Sequence, residues 1–262
     1  MSARHEVEVA GGYRVSYLAA GDGPTIVVVP GVLQSAERWQ DVGYLERFTE
    51  ERIIVIDPLG HGKSDRPTDV AAYAPDLAIS HVVAVMEQEM VTDACIWGYS
   101  TGAETALLVA RRRPDLINGL VIGGTYLGDI RAGLRDVGLD HKALTERSVD
   151  ALEQGDWQAY FDGVLAEIPV EIQHELIEAN DPEVIAAVVR ADLLRPRGFV
   201  MPVVPTMAYW AEDEFFAERN SLIAETLPLD WAEVPGTHTD GFVLVDPVVR
   251  AVRPFLDSVV SV

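Results

Sequence analysis

Apolar and polar residues alternate through HEVEVA at 5–10 and YRVSYLAA at 13–20, with Gly11-Gly12 between them. Period-two patterning on either side of a glycine pair predicts an antiparallel hairpin. Four later runs, within TIVVVPG, RIIVIDP, ACIWGYS and LINGLVIGG, are short, apolar and rich in β-branched residues, as strands buried on both faces should be. Between them, 75–91 and 101–112 carry apolar positions at helical spacing. Strands that alternate with helices predict a mostly parallel sheet covered on both sides.

The alternation stops near Tyr126. From there to Gly198 the segments TERSVDALEQ, DWQAYFDGVLAEI, VEIQHELIEAN and DPEVIAAVVRADLL all read as helices, the last with Asp181 as N-cap and Pro182 in the first turn. Strand-like patterns return at 205–210 and 229–236, and a final helix is predicted around 246–259. The simplest organisation is an α/β core formed by 1–125 and 199–262, interrupted by a helical cap or lid at 126–198. An insertion this long usually covers a site.

Composition narrows the function classes. The formal net charge of −22 argues against nucleic acid and anionic membrane as partners. A small-molecule substrate is the expected partner, and the oligomeric state is left open, a homodimer included. The single cysteine, Cys95, sits in an apolar stretch and allows no internal disulfide. No signal-like start and no apolar run of membrane-spanning length is present, so a cytoplasmic, soluble protein is expected.

The segment GYSTG, Gly98 to Gly102, matches G-x-S-x-G. An apolar strand enters it and an amphipathic helix leaves it, the context that forces a serine into a sharp, exposed turn. Around this motif the chain resembles the α/β-hydrolase superfamily over nearly its whole length. VVVPGVLQS is similar to the strand and oxyanion loop of that family, DPLGHGKSDRP to its D-x-x-G-x-G-x-S-x-x-P turn and GYSTG to its nucleophile elbow. PTMAYWAEDE resembles the late strand carrying the acid, and VPGTHTDGF the histidine loop. The resemblance implies an α/β-hydrolase fold with an N-terminal hairpin, and Ser100 as nucleophile.

A serine hydroxyl needs a base to take its proton. Of the six histidines, His238 lies in a loop after the last strand and follows serine and acid in the family's order. His61 matches a turn position that is structural in the family. The oxyanion of an acyl-transfer intermediate needs preorganised donors. The Thr101 amide is one candidate, and the resemblance implies the Val32 amide as the second, with Gln34 or Ser35 as side-chain help. Pro30 stands where the family usually has histidine, which leaves the shape of this loop open. For the acid, the family pattern Gly-x-x-Asp falls on Ala211-Glu212-Asp213-Glu214. That places Glu214 at the acid position, with Asp213 one residue away and Asp129, after the preceding strand, as a third candidate.

The resemblance implies a serine hydrolase acting on esters or lactones of small to medium apolar compounds through an acyl-enzyme. A carbon–carbon bond hydrolase, a cofactor-free perhydrolase and a slow or non-catalytic ligand-binding protein remain as alternatives. Haloalkane dehalogenases and epoxide hydrolases are excluded by the same comparison, because they carry aspartate at the position of Ser100. No histidine pair has metal-ligand spacing with a third ligand nearby, and no P-loop is present, so neither metal nor cofactor is expected. Tyr126, Leu127, Trp157, Tyr160 and Phe161 are the candidate pocket-lining residues of the inserted region.

Overall fold

The computed structural model describes residues 2–164, 166–195 and 198–260. In chain order its elements are β1 (Ala3–Val9), β2 (Tyr13–Ala20), β3 (Thr25–Val29), α1 (Ala36–Asp41), β4 (Arg52–Ile56), α2 (Pro75–Gln88), β5 (Ala94–Tyr99), α3 (Thr101–Arg112) and β6 (Ile117–Gly123). The inserted region then supplies α4 (Ile130–Arg135), α5 (His141–Glu153), α6 (Trp157–Val164), α7 (Val170–Ala179) and α8 (Pro182–Ala191). The chain closes with β7 (Thr206–Ala211), α9 (Ala217–Ala224), β8 (Asp230–Val234), α10 (Asp240–Val243) and α11 (Val245–Val259). No strand lies between β6 and β7 among the described residues. Leu165, Pro196 and Arg197, within the expected cap, and Met1, Ser261 and Val262, within the expected core, lie outside them.

The eight strands form one sheet in the order β1-β2-β4-β3-β5-β6-β7-β8. β1 pairs antiparallel with β2, and β2 antiparallel with β4. The remaining neighbours are parallel. Gly11 and Gly12 turn the first hairpin with φ of 91° and 76°, a region side chains avoid.

Period two decides which face each strand residue serves. Val27, Val29, Ile54, Ile56, Ile96, Leu120 and Ile122 share one core with α2, α3 and α9. Ile26, Val28, Ile53, Val55, Cys95, Trp97 and Val121 share the other with α1 and α11. Burying each such aliphatic side chain is worth roughly 1.5–3 kcal/mol, so every central strand is fixed from both sides. The inserted helices have their own core, in which Val149, Leu152, Trp157, Tyr160, Phe161 and Ile185 gather around Leu33 of the loop after β3. Val184, Ala187 and Ala191 of α8 pack on Leu59, Ala72 and Tyr73. Asp181 caps α8 by accepting from the amides of Glu183 at 2.9 Å and Val184 at 3.4 Å.

This topology positions a site. The chain runs from β3 to β4 on one side and from β5 to β6 on the other, so the loops after β3 and β5 diverge. That divergence opens a crevice at the carboxyl ends of the strands, the usual ligand position in open α/β sheets.

Candidate active site

Ser100 occupies the turn between β5 and α3 with φ 53° and ψ −124°, a conformation that costs on the order of 1–3 kcal/mol for a non-glycine residue. The surroundings hold it there. Its amide donates to the Gly123 carbonyl at 2.8 Å, and its own carbonyl accepts from the Ala103 amide at 2.9 Å. A Cβ on Gly98 would lie 2.4 Å from the Gly102 carbonyl oxygen, and one on Gly102 would lie 2.0 Å from that of Val29. Both glycines are therefore required by the close approach of strand, turn and helix.

His238 comes from the loop after β8. Gly236 turns that loop at φ 90°, and Asp240 fixes it by accepting from the Thr237 amide at 2.8 Å and hydroxyl at 3.0 Å. The Tyr99 hydroxyl donates to the His238 carbonyl, and the two rings lie 5.2 Å apart. His238 Nε2 is 3.1 Å from Ser100 Oγ. Its Nδ1 is 3.3 Å from Oε1 of Glu214, whose side chain is only 8% exposed. With its proton on Nδ1, the ring donates to the carboxylate and accepts from the serine hydroxyl.

Two opposed effects act on His238. Burial disfavours the imidazolium. The hydrogen bond to Glu214 and the charges of Glu214 and Glu167 favour it, and together they leave the pKa above the ordinary histidine value. His61 differs: it is buried beside the Leu59 carbonyl, and desolvation pulls it down to about 4. It is a neutral residue of the turn after β4.

A family profile described as the alpha/beta hydrolase fold matches residues 24–146. An uncharacterized protein of Mycobacterium tuberculosis is 35% identical over 116 residues, which make up 42% of this chain and 32% of that one. The 2-hydroxymuconate semialdehyde hydrolase of Pseudomonas sp. (strain CF600) is 30% identical over 119 residues, 45% of this chain and 42% of that one. The chain thus spans less than half the length of these curated relatives. The solved structure of the bottromycin epimerase BotH, in complex with bottromycin A2, matches 97% of this chain and 99% of its own with a TM-score of 0.80 at 20% identity.

The chain has the α/β-hydrolase fold. Esterases, epoxide hydrolases and a carbon–carbon bond hydrolase are among the proteins it is similar to.

Among the candidate acids, Glu214 is the one whose carboxylate meets His238. A tight turn, with the Glu214 amide donating to the Ala211 carbonyl at 3.0 Å, directs the side chain inward, where Oε1 also accepts from the Ala211 amide at 3.2 Å. Asp213 and Glu212 are exposed. Asp129 is exposed as well and serves as N-cap of α4, accepting from the Arg131 amide at 2.9 Å.

The oxyanion loop departs from expectation in detail. Thr101 is the first residue of α3, but the Val32 amide donates to the Thr101 hydroxyl at 2.9 Å, so this donor is engaged. Both side chains expected to help there accept hydrogen bonds within the loop. Gln34 uses Oε1 to accept from the Gly31 amide at 3.1 Å and the Trp39 indole at 3.2 Å. Ser35 caps α1 by accepting from the Arg38 amide at 3.2 Å. These bonds, with Asp57 accepting from the Ala36 amide at 2.7 Å, fix the loop without the histidine that Pro30 replaces.

A cavity of about 620 Å³ opens beside Ser100 and His238. Tyr126 lines it. Tyr160 instead lines a neighbouring cavity of about 290 Å³ that also touches Thr101 and Arg195. Leu127 joins the main core, and Trp157 and Phe161 stack on each other at 5.9 Å within the core of the inserted helices. These three do not line the Ser100 cavity: as large apolar groups they are buried in those two cores instead. The sequence reasoning missed Leu107 and Leu108 of α3, and Phe199 and Phe216, which form walls of this cavity. It also missed Tyr99, whose hydroxyl holds the histidine loop and whose only sequence signal is its place inside GYSTG.

Proposed function

We propose that this protein of the α/β-hydrolase fold is a serine hydrolase that cleaves carboxylic ester or lactone bonds of small to medium apolar substrates through an acyl-enzyme. The observation that carries the proposal is the continuous chain of contacts from Ser100 Oγ to His238 Nε2, 3.1 Å, and from His238 Nδ1 to Glu214 Oε1, 3.3 Å. Ser100 adds to the carbonyl carbon while its proton passes to His238 Nε2, and Glu214 stabilises the imidazolium. The developing oxyanion is received by the amides of Thr101 and Val32, the latter released from the Thr101 hydroxyl. His238 then returns the proton to the departing alcohol. Water, deprotonated by the same histidine, attacks the acyl-enzyme and frees the acid and Ser100.

A second proposal is favoured by one observation, the 30% identity to a 2-hydroxymuconate semialdehyde hydrolase: cleavage of a carbon–carbon bond at the same serine. Treatment with a fluorophosphonate tests the nucleophile common to both. Intact mass should increase by one adduct, and peptide mapping should locate it on Ser100; an unmodified protein overturns both. A panel of esters and lactones run beside a vinylogous diketone then separates them, and turnover of the diketone alone displaces the ester assignment.

A further inference from the structure

Ser100 and His238 stand between two cavities, one of about 620 Å³ and one of about 60 Å³. The larger has Glu214 and much of α3 in its wall, and the smaller has Gln34, Thr239 and Phe242. Among the described residues, Ser100 and His238 are the only two that line both. The smaller cavity has room for about two waters, at the liquid share of about 30 Å³ each, and for neither arm of a medium-sized ester. The organic substrate is therefore received on one side of the Ser100–His238 pair, with a water-sized space on the other.

The polar groups of that space are matched to a water. Gln34 Oε1 accepts from the Gly31 amide at 3.1 Å and from the Trp39 indole at 3.2 Å. Turning the amide over would set its NH2 group against these two N–H donors, so the bonds fix which end is oxygen. Nε2 is left with its two donor hydrogens and no partner among the described residues. The Thr239 hydroxyl also lines the cavity and is likewise without a partner among them. Arg38 of the same lining is engaged by Glu175, 2.7 Å away. Once Ser100 is acylated its oxygen has no proton to donate, and His238 Nε2 accepts from a water instead. Gln34, Thr239 and His238 then supply the three or so bonds an ordered water makes. Ile172 and Leu176 of α7 and Phe242 of α10 make the rest of the wall largely apolar, so these polar groups decide where the water is held.

We propose that the small cavity holds the water that hydrolyses the acyl-enzyme, and that Gln34 is its positioning residue. This rests on the serine-hydrolase reading above and deepens it, and it holds whichever arm of the ester the larger cavity receives. The water oxygen adds to the acyl carbonyl carbon while one of its protons passes to His238 Nε2. Collapse of the intermediate breaks the bond to Ser100 Oγ, which recovers that proton from His238, and the acid departs. Gln34 exchanges no proton in either step. It acts through the water, so deacylation depends on it and acylation does not.

p-Nitrophenyl acetate separates the two halves of the reaction, because its kcat/KM ends with acylation and a single turnover gives deacylation. Gln34→Glu keeps an oxygen where the Gly31 amide and the Trp39 indole donate, and removes the two donor hydrogens. Leu176→Trp fills the cavity from α7 and leaves Gln34 in place. In each variant deacylation should slow at least about tenfold while kcat/KM stays within about threefold of wild type. Stopped flow should then show a burst approaching one equivalent of nitrophenolate, and intact mass should capture the acetyl-enzyme. A kcat/KM that falls as far as deacylation does, or a deacylation rate unchanged in either variant, overturns the water site. If fluorophosphonate still labels Ser100 and the wild type still turns over, that failure belongs to the water site alone. If the wild type shows neither labelling nor turnover, the serine-hydrolase reading fails and the water site falls with it.

Discussion

Asp213 and Glu214 are neighbours with different surroundings. The Asp213 amide donates to the Gly236 carbonyl at 2.9 Å and its side chain is exposed, whereas the turn closed by Ala211 sends the Glu214 carboxylate to His238. The sequence narrowed the acid to a few carboxylates but could not choose among them, because one residue of register reverses which side chain faces in. The choice is made by backbone bonds that no side-chain pattern encodes. Glu214→Gln should lower kcat by roughly 10²–10⁴-fold, since the amide neither fixes the Nδ1 tautomer nor stabilises the imidazolium, while Asp213→Asn should change it less than threefold. The pH profile adds a second readout. His238 must be neutral to accept the serine proton, and its pKa is raised, so wild-type kcat/KM should climb with pH through a limb above the ordinary histidine value of about 6.5. In Glu214→Gln, burial remains and the main upward influence is gone, so the limb of the residual activity should move to lower pH. A limb that stays in place, or Asp213→Asn as the more damaging change, would transfer the role away from Glu214.

The strand–turn–helix around Ser100 was legible as an element because its requirements are local: two glycines, an apolar strand and a helix start. Helix α3 was predicted over 101–112, the span it occupies. The walls of the cavity were not legible. Leu107 and Leu108 show the same helical spacing whether they face a neighbour or empty space, and which one applies depends on segments distant in sequence, such as Leu134 and Phe199. Trp157 and Phe161 of α6 stay out of the Ser100 cavity for the converse reason, since they pack on each other and on Tyr160, which itself lines the neighbouring cavity. Close packing in the elbow makes a prediction with an internal contrast. In Gly102→Ala the added Cβ would lie 2.0 Å and 2.4 Å from the backbone oxygens of Val29 and Pro30, so the strand or the helix must move. The loss should reach at least about 2 kcal/mol, a fall in Tm of about 4–8 °C in a thermal melt. Gly163→Ala in α6 meets nothing within 4 Å and should raise Tm by about 1–3 °C through helix propensity. A Gly102→Ala melt that matches wild type would mean that the elbow is looser than its geometry implies.

On the scale of the molecule, the accessible surface is 11,416 Å², against about 11,300 Å² expected of a single folded chain of 28.6 kDa. The inserted helices therefore add little surface of their own; α8 lies on Leu59 and Tyr73, and the core around Trp157 includes Leu33 from the loop beside Ser100. Over that surface the net charge of −22 leaves one uncompensated negative charge per roughly 500 Å², a mean spacing of about 23 Å. That distance exceeds the screening length of about 8 Å at 0.15 M salt but falls within the about 30 Å at 0.01 M. Self-repulsion should therefore matter only in dilute buffer. Lowering sodium chloride from 150 to 10 mM at pH 7.5 should lower Tm by a few degrees, and raising it from 150 to 500 mM should change Tm much less. Near pH 5, close to the isoelectric point of about 4.5, carboxylate protonation removes much of the excess charge, and the low-salt penalty should shrink with it. A Tm that keeps climbing with salt well beyond 150 mM would instead assign the effect to specific close ion pairs or to salt exclusion, because a screening length already shorter than the charge spacing leaves little long-range repulsion to remove.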